Sequence, residues 1–134
     1  MILRARPPVA SVLSFIDCIN RGDLAGLGRL MTDDHQLQVF EEPPLDGRAA
    51  NVEAWQGYFA SFPDYVIHPR RVAELDGRVA VLGHTTGSHL GLADDVERGL
   101  TLIWVAEVAQ GRLRHWELVE DSEDSRRQLG LDRV

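Results

Sequence analysis

The sequence predicts an α+β domain in which a curved antiparallel sheet wraps over N-terminal helices and leaves a cone-shaped pocket between them. Three observations carry this. Apolar residues recur at three- and four-residue spacing up to about residue 62. After Pro63-Asp64 the apolar period changes to two. The pairs Asp76-Gly77 and Gln110-Gly111 are hairpin turn signals between those two-period runs. Helical runs followed by strand runs are the α+β signature, and 134 residues suit a single domain, 1–134.

Pro7-Pro8 opens the first helix, because a proline in the first turn loses no hydrogen bond. Val9, Val12, Leu13, Phe15, Ile16 and Ile19 form its buried stripe, and Gly22 ends it. Asp23 caps a short second helix reaching about Met31. Gln36 to Glu41 alternates and reads as a strand, and Pro43-Pro44 with Asp46-Gly47 forces a loop. A third helix spans about Ala49 to Phe62, with Val52, Trp55, Tyr58, Phe59 and Phe62 inward. Strands follow at about Tyr65 to Leu75, Val79 to His89, Arg98 to Val108 and Arg112 to Val119. A polar helix from Ser122 to Leu129 is stopped by Gly130.

Composition narrows the function. A net charge of −7 argues against a general nucleic-acid binder. All fourteen basic residues are arginine, which excludes a Schiff-base or phosphate-loop lysine. Cys18 stands alone, so no intrachain disulfide and no cysteine zinc site is expected. The first residues, MILRARPPVA, hold no apolar run of signal-peptide length, and no segment approaches a membrane span. The expectation is a cytoplasmic protein without cofactor or metal. No HxxxH spacing, nucleophile elbow or dinucleotide fingerprint is present.

Several phrases, FIDCINRGDLAGLGRLMTDD, DGRAANVEAWQGYFASFPD, GRVAVLGHTTGSHLG and QGRLRHWELVED followed by RRQLG, span nearly the whole chain. In order and spacing they resemble the SnoaL-like polyketide cyclases of the nuclear transport factor 2-like superfamily. The resemblance implies a cone-shaped α+β barrel and a pocket for an apolar, oxygenated small molecule. It implies cofactor-free acid/base chemistry of the cyclase or isomerase kind, with a non-catalytic binding or assembly domain as the alternative. It also implies a homodimer through the outer sheet face, with Arg112, Arg114 and the Trp116/Leu118 parity at the contact.

On the same resemblance, Asp121, seven residues before Gln128, is the general acid/base. The family's tryptophan stands four residues before the acid. Trp116 is four before Glu120 and five before Asp121, so either a bulge is present or Glu120 takes the role. A carboxylate here also suits a helix start, and both readings stand. His115 and His89 are candidates to polarise a carbonyl or relay a proton, and His84 sits on a polar strand face. His35 and His68 read as loop or edge residues.

Ketosteroid isomerases, another branch, carry an acid before proline after the first strand, as Glu42-Pro43 does here. Their oxyanion donors align with Phe15 and Trp104, which cannot serve as those donors, so that chemistry is rejected. Phe15, Glu42, Trp55, Tyr58, Phe59, His84 and Trp104 are the expected pocket residues. Gly83, where the family often has a large side chain, is expected to widen the pocket or mark a bulge.

Overall fold

The computed structural model describes residues 7–133. Helix α1 (Pro8–Arg21) buries Val12, Phe15, Ile16 and Ile19 as its spacing requires, while Leu13 faces out. Gly22, left-handed at φ 66°, ends it, and the carboxylate of Asp23 accepts from the Gly26 amide to start α2 (Leu24–Arg29). Then come β1 (Met31–Val39), β2 (Leu45–Asp46), α3 (Arg48–Ser61), β3 (Val66–Leu75) and β4 (Arg78–Thr86). A single turn α4 (Asp94–Glu97) precedes β5 (Leu102–Ala109), β6 (Arg112–Glu120), α5 (Glu123–Gln128) and a 3-10 turn (Leu131–Arg133). Among the described residues no helix is long and apolar enough to cross a membrane.

The six strands form one curved, unclosed sheet in the order β2-β1-β6-β5-β4-β3. The hairpins β3–β4 and β5–β6 and the β4–β5 pair are antiparallel, but β1 runs parallel to β6. β1 also begins five residues before the expected Gln36. Its first part buries His35 completely, so His35 is a core residue and not a loop or edge one. Leu45–Asp46, expected as loop, adds a short antiparallel partner to β1.

The helices cover the concave face. There Val79, Val81, Trp104, Ala106, Leu113 and Trp116 meet Phe15, Ile19, Leu27 and Trp55 in the main core. The convex face holds a second cluster, Ala80, Leu82, Ile103 and Val105, covered by Leu129 and Leu131. Full burial of a leucine is worth about 1.5–3 kcal/mol, so Leu131, fully buried, pins the C-terminal turn to the sheet.

Two bulges set which residues face which side. In β6, Leu113 pairs with Val108 and His115 with Glu107, which leaves Arg114 as the extra residue. The expected shared parity of Leu113 and His115 is thereby broken. Leu113, Trp116 and Leu118 face the helices, and His115, Glu117 and Val119 turn to the convex side. Trp116 and Leu118 therefore do not present an outer-face contact. In β3, Arg70 is the extra residue, between Pro69 (opposite Gly83) and Arg71 (opposite Leu82). A Cβ at Gly83 would lie 2.3 Å from the His68 carbonyl oxygen, so the glycine accommodates the bulged strand.

Candidate functional site

An apolar cavity of about 200 Å³ lies between α3 and the concave face. Leu37 and Val39 of β1, Trp116 and Leu118 of β6 and Trp104 of β5 make the sheet wall. Ala54, Trp55 and Tyr58 of α3, with Tyr65 and His89, make the other. All three tryptophans of the chain thus line one cavity. Trp55 and Tyr58 come together because residues three apart share a helix face, and their rings meet edge-on at 6.1 Å.

The polar group of this wall is a tyrosine–histidine pair. The Tyr58 hydroxyl lies 2.9 Å from Nδ1 of His89 and accepts the His89 backbone N–H at 3.2 Å. Gly87 makes the pairing possible. Its φ is 68°, and a Cβ there would lie 2.3 Å from the Asp64 carbonyl oxygen, so the chain turns tightly and delivers His89 to α3. Burial raises the Tyr58 pKa, opposed by the contact with His89 and reinforced by Glu97. Burial also raises that of Tyr65. Both phenols are therefore neutral hydrogen-bonding groups near pH 7.

The two acids at the end of β6 lie outside this lining. Glu120 has the same parity as Trp116 and Leu118 but is exposed at the strand end. Asp121, on the opposite parity, accepts from Arg126 Nε at 2.7 Å and Nη2 at 2.8 Å, and from the Thr101 hydroxyl at 2.5 Å. These contacts, Arg126 foremost, hold its carboxyl below the usual range against the opposing effect of burial. Ser122, and not Asp121, caps α5, through its hydroxyl and the Ser125 amide.

Other candidates are spread through the fold. His115 pairs with Glu117 at 2.9 Å on the convex side. His84 is on the convex side too, stacked on His68. Phe15 is fully buried beneath the cavity, 5.1 Å from the Trp116 ring. Phe59 packs on Trp55 at 5.5 Å, outside the lining. Glu42 is exposed beyond β1. Among the described residues no three His, Cys, Asp or Glu side chains are placed to hold a metal ion.

Sequence reasoning did not single out Leu37, Val39, Ala54, Tyr65, Trp116 and Leu118 as pocket residues, though the alternation of β1 already puts Leu37 and Val39 on one face. It also passed over two buried titratable residues. His35 is 0% exposed; its Nδ1 is 2.7 Å from the Leu113 carbonyl oxygen, which only accepts, so Nδ1 carries the proton. Glu97 is 1% exposed and accepts from the Thr85 hydroxyl through Oε2.

Comparison with known proteins agrees with this architecture. The model of the SnoaL-like domain family matches residues 12–116. The chain belongs to the SnoaL-like domain family. No curated protein matches it. Among solved structures it is similar to an uncharacterised cystatin-fold protein from Novosphingobium aromaticivorans, at TM-score 0.74 and 16% identity over 86% of this chain and 99% of that one. It is also similar to IdmH, a candidate polyketide cyclase from Streptomyces antibioticus, at TM-score 0.68 and 24% identity over 93% and 99%. A third is TerC, crystallised with polyporic acid, at TM-score 0.70 and 17% identity over 92% and 98%. These likenesses establish the shared fold of this SnoaL-like chain.

Proposed function

We propose that this SnoaL-like domain binds an apolar, oxygenated ring compound in its cone and carries out cofactor-free acid/base chemistry beside a carbonyl. The observation that supports it is one cavity lined by three tryptophans and two tyrosines, one of which, Tyr58, is paired with His89. A dry cavity of roughly 150 Å³ takes benzene, so a 200 Å³ cavity suits one or two fused rings. That TerC was crystallised with polyporic acid supports the same ligand class.

In this reading His89 is the base and Tyr58 positions its ring. A neutral imidazole removes a proton from the carbon next to the ligand's carbonyl. The carbon then attacks a second carbonyl, or is reprotonated elsewhere, and the imidazolium returns the proton to the new alkoxide or carbon. A positioned acid/base is worth about 10²–10⁴ in rate. Asp121 acts structurally here, because Arg126 and Thr101 occupy its oxygens.

The test has two parts. Titration with 1-naphthol and with 2-tetralone should quench the tryptophan fluorescence saturably; absence of quenching by both would sink the binding claim. Proton–deuterium exchange next to the carbonyl of 2-tetralone, followed by NMR, should be accelerated by the protein and lost in His89→Gln. A second reading is a non-catalytic binding domain, favoured by the absence of any carboxylate from the lining. Saturable quenching without accelerated exchange selects it. We further propose a homodimer through the convex face, outside the strip that Leu129 and Leu131 cover; a monomer in sedimentation at micromolar concentration would count against it.

A further inference from the structure

The convex face carries, toward the β3 edge, a group of basic side chains with no part in the cavity. His68 and His84 are direct cross-strand partners, and their rings stack with centroids 4.6 Å apart and planes inclined by 14°. His68 Nε2 lies 2.9 Å from the Thr86 hydroxyl. Arg70 is the bulged residue of β3, and its Nη2 donates to the Arg98 carbonyl at 2.9 Å. Bulges re-aim side chains, and this one sets Arg70 near the histidines. Burial foremost, then His68, Arg70 and Arg98, disfavours protonation of His84, while Glu97 acts in the other direction.

There are 21 acidic side chains for 14 arginines. Among the described residues, ion pairs engage Arg21, Arg48, Arg114, Arg126 and Arg127. Arg70 and Arg98 are not among them, nor are Arg29, Arg71, Arg78 and Arg112. Glu97, the one carboxylate acting on His84, is buried and accepts from Thr85 through Oε2, while its Oε1 has no hydrogen-bond partner among the described residues. Among the described residues neither guanidinium has a carboxylate within ion-pair distance, and both act on His84 beside its stacked partner His68.

We propose that His68, His84, Arg70 and Arg98 form a proton-coupled site for an oxyanion, a phosphate or a carboxylate group, separate from the cone. Guanidinium forks match such groups geometrically. An anion between the four would replace mutual repulsion by attraction and favour the protonated imidazole, so anion binding and proton uptake are coupled.

The experiment is an NMR titration of the histidine ring protons near pH ~6, with inorganic phosphate in one arm, acetate in a second, and chloride at equal ionic strength as reference. His68 and His84 should shift saturably with phosphate, with acetate or with both; the stronger arm names the group. His35, His89 and His115 should stay in place. Affinity should weaken by up to about tenfold per pH unit as pH rises above the pKa of His84. The double variant Arg70→Gln/Arg98→Gln, folded by circular dichroism, should bind at least about tenfold more weakly. His84→Gln should bind with a weakened pH dependence. Shifts equal to those in chloride, or shifts retained in the double arginine variant, would overturn the proposal.

Discussion

Arg126 holds Asp121 through two nitrogens, Nε to Oδ1 at 2.7 Å and Nη2 to Oδ2 at 2.8 Å, and so ties α5 back to the end of β6. The Asp121 side chain is only 11% exposed, and Thr101 at the start of β5 adds a third contact. This clamp sits beside the convex core that Leu129 and Leu131 cover.

Asp121→Asn should therefore act on stability and not on the cavity. Losing charge-assisted bonds costs about 1–3 kcal/mol, read as a lower denaturation midpoint. Quenching by 1-naphthol should stay within about twofold of the parent. A variant of parental stability that no longer binds would move Asp121 into the site.

Tyr58→Phe removes the hydroxyl beside His89 but keeps the ring. Apolar ligands should bind nearly as before, because the tyrosine ring still fills the wall. Proton exchange on 2-tetralone should fall by about tenfold or more, since the imidazole loses its orienting contact. His89→Gln should fall further. Equal exchange in parent and both variants would remove the pair from the chemistry.

Stability should fall in acid in two separate steps. His35 is buried, and burial lowers its pKa below 6.5 in the folded state. The unfolded chain thus takes up a proton before the folded one does. The contribution of His35 is complete above 6.5 and shrinks as pH falls toward its lowered folded value. His84, also lowered, adds to that window. Asp121 gives the second step: its contribution is complete above 3.8 and is lost as pH falls through its depressed folded value. Chemical denaturation across pH should show the upper step shrinking in His35→Gln and the lower one in Asp121→Asn.

Gly83→Ala should destabilise the domain by about 1–3 kcal/mol, because the new Cβ would meet the His68 carbonyl oxygen of the neighbouring strand. Gly57, where nothing lies within 4 Å, is the control; Gly57→Ala should be neutral or mildly stabilising. Comparable losses at both positions would contradict the close approach of β3.

The helical spacing of Trp55 and Tyr58, the alternation through Trp104 and Gly87 ahead of His89 are local signals, and they bring these residues to one cavity. What stayed illegible depends on partners. The bulge at Arg114 appears only when β6 is laid against β5, and it reverses the parity that alternation alone assigns to Leu113. The Glu120-Asp121 doublet suits a strand end and a helix start equally well; Arg126, Thr101 and Ser122 decide between them. His35 follows Asp33-Asp34, and Glu97 stands in a run of acids. Both read as solvated, and both are buried by elements distant in the chain.

The parallel pairing of β1 with β6 has a consequence for how the protein is made. His35 reaches the Leu113 carbonyl across 78 residues, and the Ser11 hydroxyl reaches that of Gly111 across 100. Leu37 and Val39 stand beside Trp116 and Leu118 only through this pairing. During synthesis β1 must wait, without its long partner, until Arg112–Glu120 has left the ribosome. Such distant contacts slow folding, and a ligand can help only in the final step, since the wall it would recognise is the last part to be assembled.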